Sequence, residues 1–508
     1  MDELIIGVDC STTACKAVVF DKRGEIIYSA KSALRMGQPQ PSFHEQDAND
    51  WWFAFRKSIL ECCSHLNPNQ FAGICFSCQR ETFVPVNHKF EPVHPAILWM
   101  DERSQGFLPM VRDQLGETSF HKKTGKPITG NLAIGKLLWI KHNLPHAYQP
   151  DNKYLDVHAF LMHRLIGEPI TSYSCADPLG LFNIIDTRWD ADIISFLGIR
   201  SDQLPAVVPH GTNIGKISHR ISQETGLPDG LPVIAGIGDG QAGGLGVNAG
   251  INSSGYLNLG TAVITGTTSD QYQIDRYFRT MMSGIPGKYN LEGVLLGGTY
   301  TISWLLHRFL GDFQLPYSEA EFEKEIQRIP VGSDGLMVVP YWNSVMNPYW
   351  DTAAKGMTIG WHGAHTIFHL YRAILEGIGY EIRLHTEGIE KSLGYTLPCY
   401  IAFGGGANSQ IWCQIISNII NKEIRIANTV EASALGAAMI VAGSLGIYPN
   451  IVTAAGEMSQ IKADSISPNP LTASRYDQFY EIYQGLFPAI SKYMQQISKL
   501  IDQSFEEG

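Results

Sequence analysis

The chain is poor in several things, and each shortage excludes a class of protein. Nine cysteines among 508 residues are too few for a disulfide framework, so a reducing, cytoplasmic location is expected. Cys75 and Cys78 make one CxxC, yet no second pair follows at structural-zinc spacing. The segment from Phe71 to Cys78 reads as a strand with buried thiols. Positive charge is in deficit, with 38 Lys and Arg against 49 Asp and Glu, a formal net charge of −11. That balance, without blocks of like charge, argues against a grip on a nucleic-acid backbone. There is no long hydrophobic run. One long uncharged stretch, 432–456, is broken by Gly, Ser, Pro449 and Asn450, and its apolar part is too short for about 30 Å of hydrocarbon. Met1-Asp2-Glu3 places acids where a signal peptide carries bases. Neither a membrane nor a nucleic acid is expected as partner.

What is present is ordinary globular composition over a length that favours two domains. Leu4 to Asp9, Lys16 to Phe20 and Glu25 to Tyr28 form an antiparallel meander, with turns at Ser11-Thr12-Thr13 and Asp21 to Gly24. Trp51 to Leu66 is helical by spacing and Gly73 to Val86 mostly strand, so the class is α/β. A similar pattern restarts midway. Leu231 to Gly238 is a strand entering a glycine-rich turn, and Gly255 to Thr265 reads strand, Gly-Thr turn, strand. The echo suggests a duplication, with two related domains, 1–248 and 249–508, facing a cleft. The link falls at 246–252, where Gly246, Asn248, Gly250 and Asn252 cluster. Tyr476, Phe479, Tyr480, Tyr483, Phe487, Ile490, Tyr493, Met494, Ile497 and Ile501 stripe one face of a long C-terminal helix, read as core packing, with Pro488 inside it.

Five segments carry chemistry. Asp9 ends the first strand, and Ser11, Thr12 and Thr13 turn the chain over toward Lys16. Such a turn can aim backbone N–H groups and hydroxyls at phosphate oxygens, while Asp9 holds Mg²⁺; a plain hairpin is the bland alternative. Asp239 is a lone carboxylate between glycines at a buried strand's end, followed by Gln241. Gly238 to Gly243 fits GxGxxG, but no acidic residue occurs from Gly240 to Ser269 to hold a dinucleotide ribose. A carboxylate there can take the proton of an attacking hydroxyl, or simply cap a helix. Gly260-Thr261 is a turn suited to terminal phosphates. Gly404-Gly405-Gly406 with Ser409 offers flat backbone for an adenine, or merely a tight strand end. Arg80 and Glu81, side by side in a strand-like run, suit a polyhydroxyl ligand or an ion pair, and Trp99 and Asp101 are similar candidates.

Taken in order, these segments resemble the FGGY family of carbohydrate kinases. Asp9 to Lys16 resembles its first phosphate motif, Leu259 to Thr261 the second, and Gly404 to Gly406 with Trp412 the adenosine motif. Pro348 to Asp351, His369 to Gly377 and Glu431 to Ala438 are similar to further family segments. The resemblance implies two ribonuclease H-like (actin-like ATPase) domains flanking a central cleft. It implies ATP and Mg²⁺ as cofactors and a small sugar or polyol as partner, with a homodimer as the protein partner considered. Asp239 would be the base, sharing Mg²⁺ with Asp9. Ser11, Thr12, Thr13, Lys16, Gly260 and Thr261 would line the phosphates, and Gly404, Gly405, Gly406 and Ser409 the adenosine. Arg80, Glu81, Trp99, Asp101, Asp239 and Gln241 would form the acceptor site.

The acceptor motifs point two ways. Gln79 to Thr82 is similar to glycerol kinases, whereas Pro95 to Ser104 looks like xylulokinases, which usually carry Met-His at Arg80-Glu81. Ser172 and Asn418 stand where Asp is common, and Ala133 where Ser, Thr or Pro is usual. Phosphorylation of a ketopentose such as xylulose is the expected activity, with glycerol or another polyol as the alternative acceptor. A non-catalytic sugar or nucleotide sensor, or an actin-like assembly protein, would share the fold. The retained base and phosphate turns disfavour the sensor, and the pair Arg80-Glu81 with Asp239, suited to a small-molecule cleft, disfavours the assembly role.

Overall fold

The computed structural model describes residues 3–250, 253–312, 319–342 and 344–506; Met1, Asp2, Asn252 and the Ile501 side chain, named above, lie outside the described set. The first lobe is built on strands β1 (Leu4–Cys10), β2 (Ala14–Phe20), β3 (Ile26–Ala33), β4 (Phe71–Cys78), β5 (Asn213–Lys216) and β6 (Pro232–Gly238). Their order is β5-β6-β4-β1-β2-β3. β1 and β2 form the expected hairpin, while β1, β4 and β6 run parallel, with Asp9 and Ile237 both registered on Ser77 of β4. The carboxyl ends of all three therefore open on one edge, where α/β sheets place their ligands.

Helix α1 (Ala48–His65) starts three residues before the expected Trp51, because Asp47 accepts the Asn49 N–H at 2.9 Å and caps it. Trp51, Phe55, Ile59 and Cys62 recur at helical spacing and are fully buried against the sheet, the larger ones worth about 1.5–3 kcal/mol each. The strand expected over Gly73 to Val86 is not continuous. It stops at Cys78 and resumes over Phe83–Val86, with Glu81 at φ 56° in the left-handed region. Arg80 and Glu81 thus occupy a corner at the sheet's ligand edge rather than the interior of a strand. After β6, the expected glycine turn is instead helix α2 (Asp239–Gly246), opened by Asp239.

The second lobe repeats the plan. Strands β7 (Gly255–Leu259), β8 (Val263–Ser269), β9 (Arg279–Met282), β10 (Tyr289–Leu295), β11 (Cys399–Phe403), β12 (Glu423–Ala427) and β13 (Ile461–Ile466) lie in the order β9-β10-β8-β7-β11-β12-β13. β7 and β8 form a hairpin, and β7, β11 and β12 are parallel. This matches β1–β2 and the parallel trio β1, β4 and β6, so the duplicated pattern seen in sequence is a duplicated topology. Helices α3 (Ile367–Leu393) and α4 (Gln410–Ile420) pack into the second lobe's core.

Helix α5 (Ala432–Ser444) crosses back to the first lobe and packs backbone to backbone on β1 and α2. A Cβ on Gly7 would stand 1.9 Å from the Ala434 carbonyl oxygen, and one on Gly436 2.1 Å from that of Ala242, so only glycine fits at either place. Helix α6 (Pro470–Glu506) includes Pro488. Its Tyr476, Tyr480, Tyr483 and Phe487 are buried as expected, but Tyr493 and Ile497 are 63% and 49% exposed, so the apolar stripe outlasts the core it covers. All nine cysteines are free thiols, those of the CxxC buried in β4. Among the described residues, no helix is long and apolar enough to cross a membrane.

Candidate active site

Asp239 and Asp9 leave the sheet on either side of β4. Asp239, as the first residue of α2, accepts the Gly240 N–H at 2.7 Å and holds Arg80 Nε at 2.9 Å, with its side chain still 36% exposed. Burial raises its pKa, and the charges of Glu81 and Glu292 add to this against the opposing pull of Arg80. A raised proton affinity suits a carboxylate that receives a proton from a hydroxyl. Asp9 is pushed up to about 7 by burial and next by the charge of Asp239, opposed by Lys16 and by the Ser77 hydroxyl, which donates to it at 3.2 Å. Two carboxylates, Asp239 hindering the ionisation of Asp9 and both presenting only oxygen, form a donor set that fits a hard divalent cation such as Mg²⁺.

The first hairpin turn is tied from below. Ser11 closes it through N–H and Oγ bonds to the Ala14 carbonyl, at 3.0 and 2.9 Å. Gln46, itself held by the Trp51 indole, donates to the Thr12 carbonyl at 2.6 Å. Thr12 Oγ1 accepts from Trp99 Nε1 at 2.9 Å and donates to Gln79 Oε1 at 3.3 Å, so an acceptor-site candidate touches a phosphate-site candidate. Thr13 is exposed at the tip. Lys16, opposite Asp9 in the ladder, turns to Glu431 at the start of α5.

In the second lobe, Gly260 and Thr261 form the turn between β7 and β8, and the Gly260 carbonyl accepts the Thr299 hydroxyl at 2.8 Å. Gly404, at φ 87°, lies against this turn: a Cβ there would meet Asn258 Oδ1 at 2.7 Å and the Leu259 carbonyl at 3.1 Å. Gly406 leaves room for the Trp412 ring, where a Cβ would come within 2.2 Å, and Gly405 is exposed. The glycine run and the Gly-Thr turn are therefore one surface. Ser409 is the N-cap of α4, accepting the Trp412 N–H at 3.2 Å and bonding Glu323. Its hydroxyl, expected to meet adenosine, is committed to the helix.

The candidate acceptor residues are joined by others that sequence reading missed. Arg80 Nη1 donates to Gln241 Oε1 at 3.2 Å and to both Glu292 oxygens at 3.0 and 3.2 Å. Glu81 pairs with Arg279, which also holds Glu292 at 2.7 Å, and the Tyr256 hydroxyl donates to Glu292 at 3.2 Å. Arg80, Glu81, Arg279 and Glu292 are all buried, and the two guanidiniums keep the Glu292 pKa low against its burial. Gln241, fully buried, steadies Arg80 while donating to the Ser174 carbonyl at 3.2 Å. Asp101 has a different occupation from the one expected. Both its oxygens bind Arg103 at 2.8 Å, one of them also takes the His44 N–H at 2.6 Å, and its side chain has no exposed surface. It braces the Trp99 loop from within.

The N-terminal and C-terminal domain descriptions of the FGGY family of carbohydrate kinases match residues 4–246 and 255–445. A xylulose kinase from Staphylococcus epidermidis is 28% identical over 496 residues, 96% of each chain. A gluconokinase from Bacillus subtilis is 26% identical over 461 residues, 88% of each. Among solved structures, a ligand-bound xylulose kinase from Lactobacillus acidophilus superposes with a TM-score of 0.90 at 24% identity, covering 97% of this chain and all of the other.

Proposed function

The chain belongs to the FGGY family of carbohydrate kinases, and we propose that it moves the γ-phosphoryl group of ATP to a hydroxyl of a small sugar or polyol, a ketopentose such as xylulose foremost. As a family member it is a phosphotransferase acting on sugars. The ketopentose rests on the xylulose kinases among its relatives and on the Pro95 to Ser104 segment.

The observation that carries this reading is the shared edge of β1, β4 and β6. A half-open carboxylate with raised proton affinity, Asp239, lies there beside Asp9 and the hairpin turn. In the proposed reaction, Arg80 orients Asp239, and Asp239 accepts the proton of the acceptor hydroxyl as its oxygen meets the γ-phosphorus. The Ser11 to Thr13 turn and Lys16 hold phosphate oxygens from the first lobe. Gly260 and Thr261 hold them from the second, with the glycine run from Gly404 carrying the adenosine. Asp9 and Asp239 would hold Mg²⁺, which supplies charge neutralisation to a triphosphate. Two lobes meeting over this edge exclude water, the competing nucleophile.

A second acceptor class, glycerol or another polyol, is favoured by Gln79 to Thr82, where Arg80 and Glu81 stand together at the ligand edge. The nine free thiols suit a cytoplasmic enzyme. An ADP-release assay across ketoses, polyols and sugar acids tests the reading. ADP release that requires both ATP and one acceptor supports it, and a panel that yields none overturns it.

A further inference from the structure

Arg80 and Glu81 come from the first lobe, whereas Arg279 and Glu292 come from β9 and β10 of the second. The four form a crossed pair of ion pairs, Arg80 with Glu292 and Glu81 with Arg279, closed by the bond between Arg279 and Glu292. The strand bearing Arg279 is seated on the first lobe, since Thr280 N–H donates to the Gly125 carbonyl at 2.8 Å and Met282 N–H to the Asp177 carboxylate. The alignment is thus part of the fold before any acceptor arrives.

We infer that Arg279 and Glu292 are specificity-determining residues of the acceptor site, holding Arg80 on Asp239 and leaving no cation there for a carboxylate-bearing acceptor. This rests on the phosphotransfer reading above. Around Asp239 the network holds two guanidiniums against three carboxylates, counting Asp239 itself, so its balance is negative. The neighbouring cations are also engaged. Lys126 pairs with Asp177, Lys136 donates to the carbonyls of Glu81 and Leu98, Arg103 holds Asp101 and Glu45, and Lys16 holds Glu431. Lys355, exposed on the facing lobe, acts on Glu102, whose ionisation it favours against burial.

A sugar acid entering here would have to draw a guanidinium off a buried carboxylate, leaving that charge unpaired. Neutral hydroxyls ask for no such exchange, because each can donate to a carboxylate or accept from an N–H already in place. A site whose buried polar groups are matched to one ligand class rejects the other by large factors. Glu292 does not reach the acceptor in this account; it acts through Arg80 and is a positioning residue.

The test is kcat/KM by ADP release with xylulose, ribulose, glycerol, ribitol and gluconate, for the wild type, Glu292→Gln and Glu292→Asp. The wild type is expected to favour its best neutral acceptor over gluconate by about a hundredfold or more. Glu292→Gln should narrow that ratio at least about tenfold, since it removes a charge and releases Arg80 and Arg279. The KM for ATP should stay within a few-fold, and Glu292→Asp should restore much of the ratio. Gluconate turned over as well as any neutral acceptor would overturn the inference and leave phosphotransfer standing. So would a folded Glu292→Gln with an unchanged ratio. No turnover of any acceptor would remove the phosphotransfer reading itself, and should Glu292→Gln not fold, the wild-type ratio alone decides.

Discussion

Lys16 Nζ stands 2.9 Å from both carboxylate oxygens of Glu431, joining the first hairpin to the start of α5 across 415 residues of chain. The same ammonium is the cation nearest the hairpin turn in the ladder, so Glu431 competes with phosphate for it. Replacing Lys16 by Met should raise the KM for ATP about tenfold or more and leave the acceptor KM nearly unmoved, whereas Glu431→Gln should lower the KM for ATP. Steady-state kinetics with each substrate varied decide this. An ATP KM indifferent to both changes would make the pair a structural tie only.

Asp239→Asn keeps the shape and the contact with Gly240 but removes the proton acceptor. Transfer should fall by about 10²–10⁴ in kcat while ATP binding, followed by calorimetry, stays within a few-fold. Activity that survives would assign the base elsewhere.

His158 predicts an acid limit on stability. Its Nδ1–H donates to the Ile170 carbonyl at 3.0 Å and its Nε2 accepts the Gly236 N–H at 2.8 Å, so the ring must be neutral to hold the strand that delivers Asp239. Burial lowers its pKa to about 4. The unfolded chain takes up a proton near pH 6.5 that the folded one refuses. Stability is therefore complete above about 6.5 and falls as pH drops toward 4, by on the order of 3 kcal/mol for this one ring. Thermal melts from pH 8 to 4.5 should show the decline, and His158→Gln, less stable at pH 8, should show a shallower one. Parallel pH profiles for the two proteins would refute the account.

Gly7→Ala places a methyl 1.9 Å from the Ala434 carbonyl oxygen, with backbone on both sides and nothing soft to yield. It should cost about 2–4 kcal/mol in chemical denaturation, whereas Gly456→Ala, exposed inside the helix Ile451–Met458, should cost nothing or add up to about 1 kcal/mol of stability. Equal costs at the two positions would mean that α5 does not press on β1 as described.

The sequence exposed those parts of the site that are local. Asp9 with its hairpin, Asp239 between glycines and the Gly404 run are each written in a few consecutive residues, because a turn or a close approach constrains its own neighbours. Gly260 and Gly404 share a surface, yet each could be found alone. Glu292, Arg279 and Glu431 could not. Their meaning lies in partners 212, 198 and 415 residues away, and no local pattern fixes such a distance. A signal was nonetheless present: Glu292 is a lone charge inside the strand Tyr289–Leu295, and a charge there must find a partner or forfeit its burial. Asp101 misled for the converse reason. A carboxylate following an aromatic looks like a ligand group, and only its neighbour Arg103, folding back on it, shows that its oxygens are occupied.

The alanine-rich helix α5 also bears on how the polypeptide assembles during synthesis. Ile5, Val18, Ile234 and Ile237 are emerging from the ribosome long before Ala434, Ala438 and Val441, the residues that cover them. Until the last stretch of translation, one face of the nascent sheet stays greasy and uncovered, a surface for chaperones to shield and a hazard for sticking to other chains. Cutting the gene after residue 248 would make that exposure permanent, so the first half produced by itself should be an aggregating fragment rather than a usable sugar-binding module.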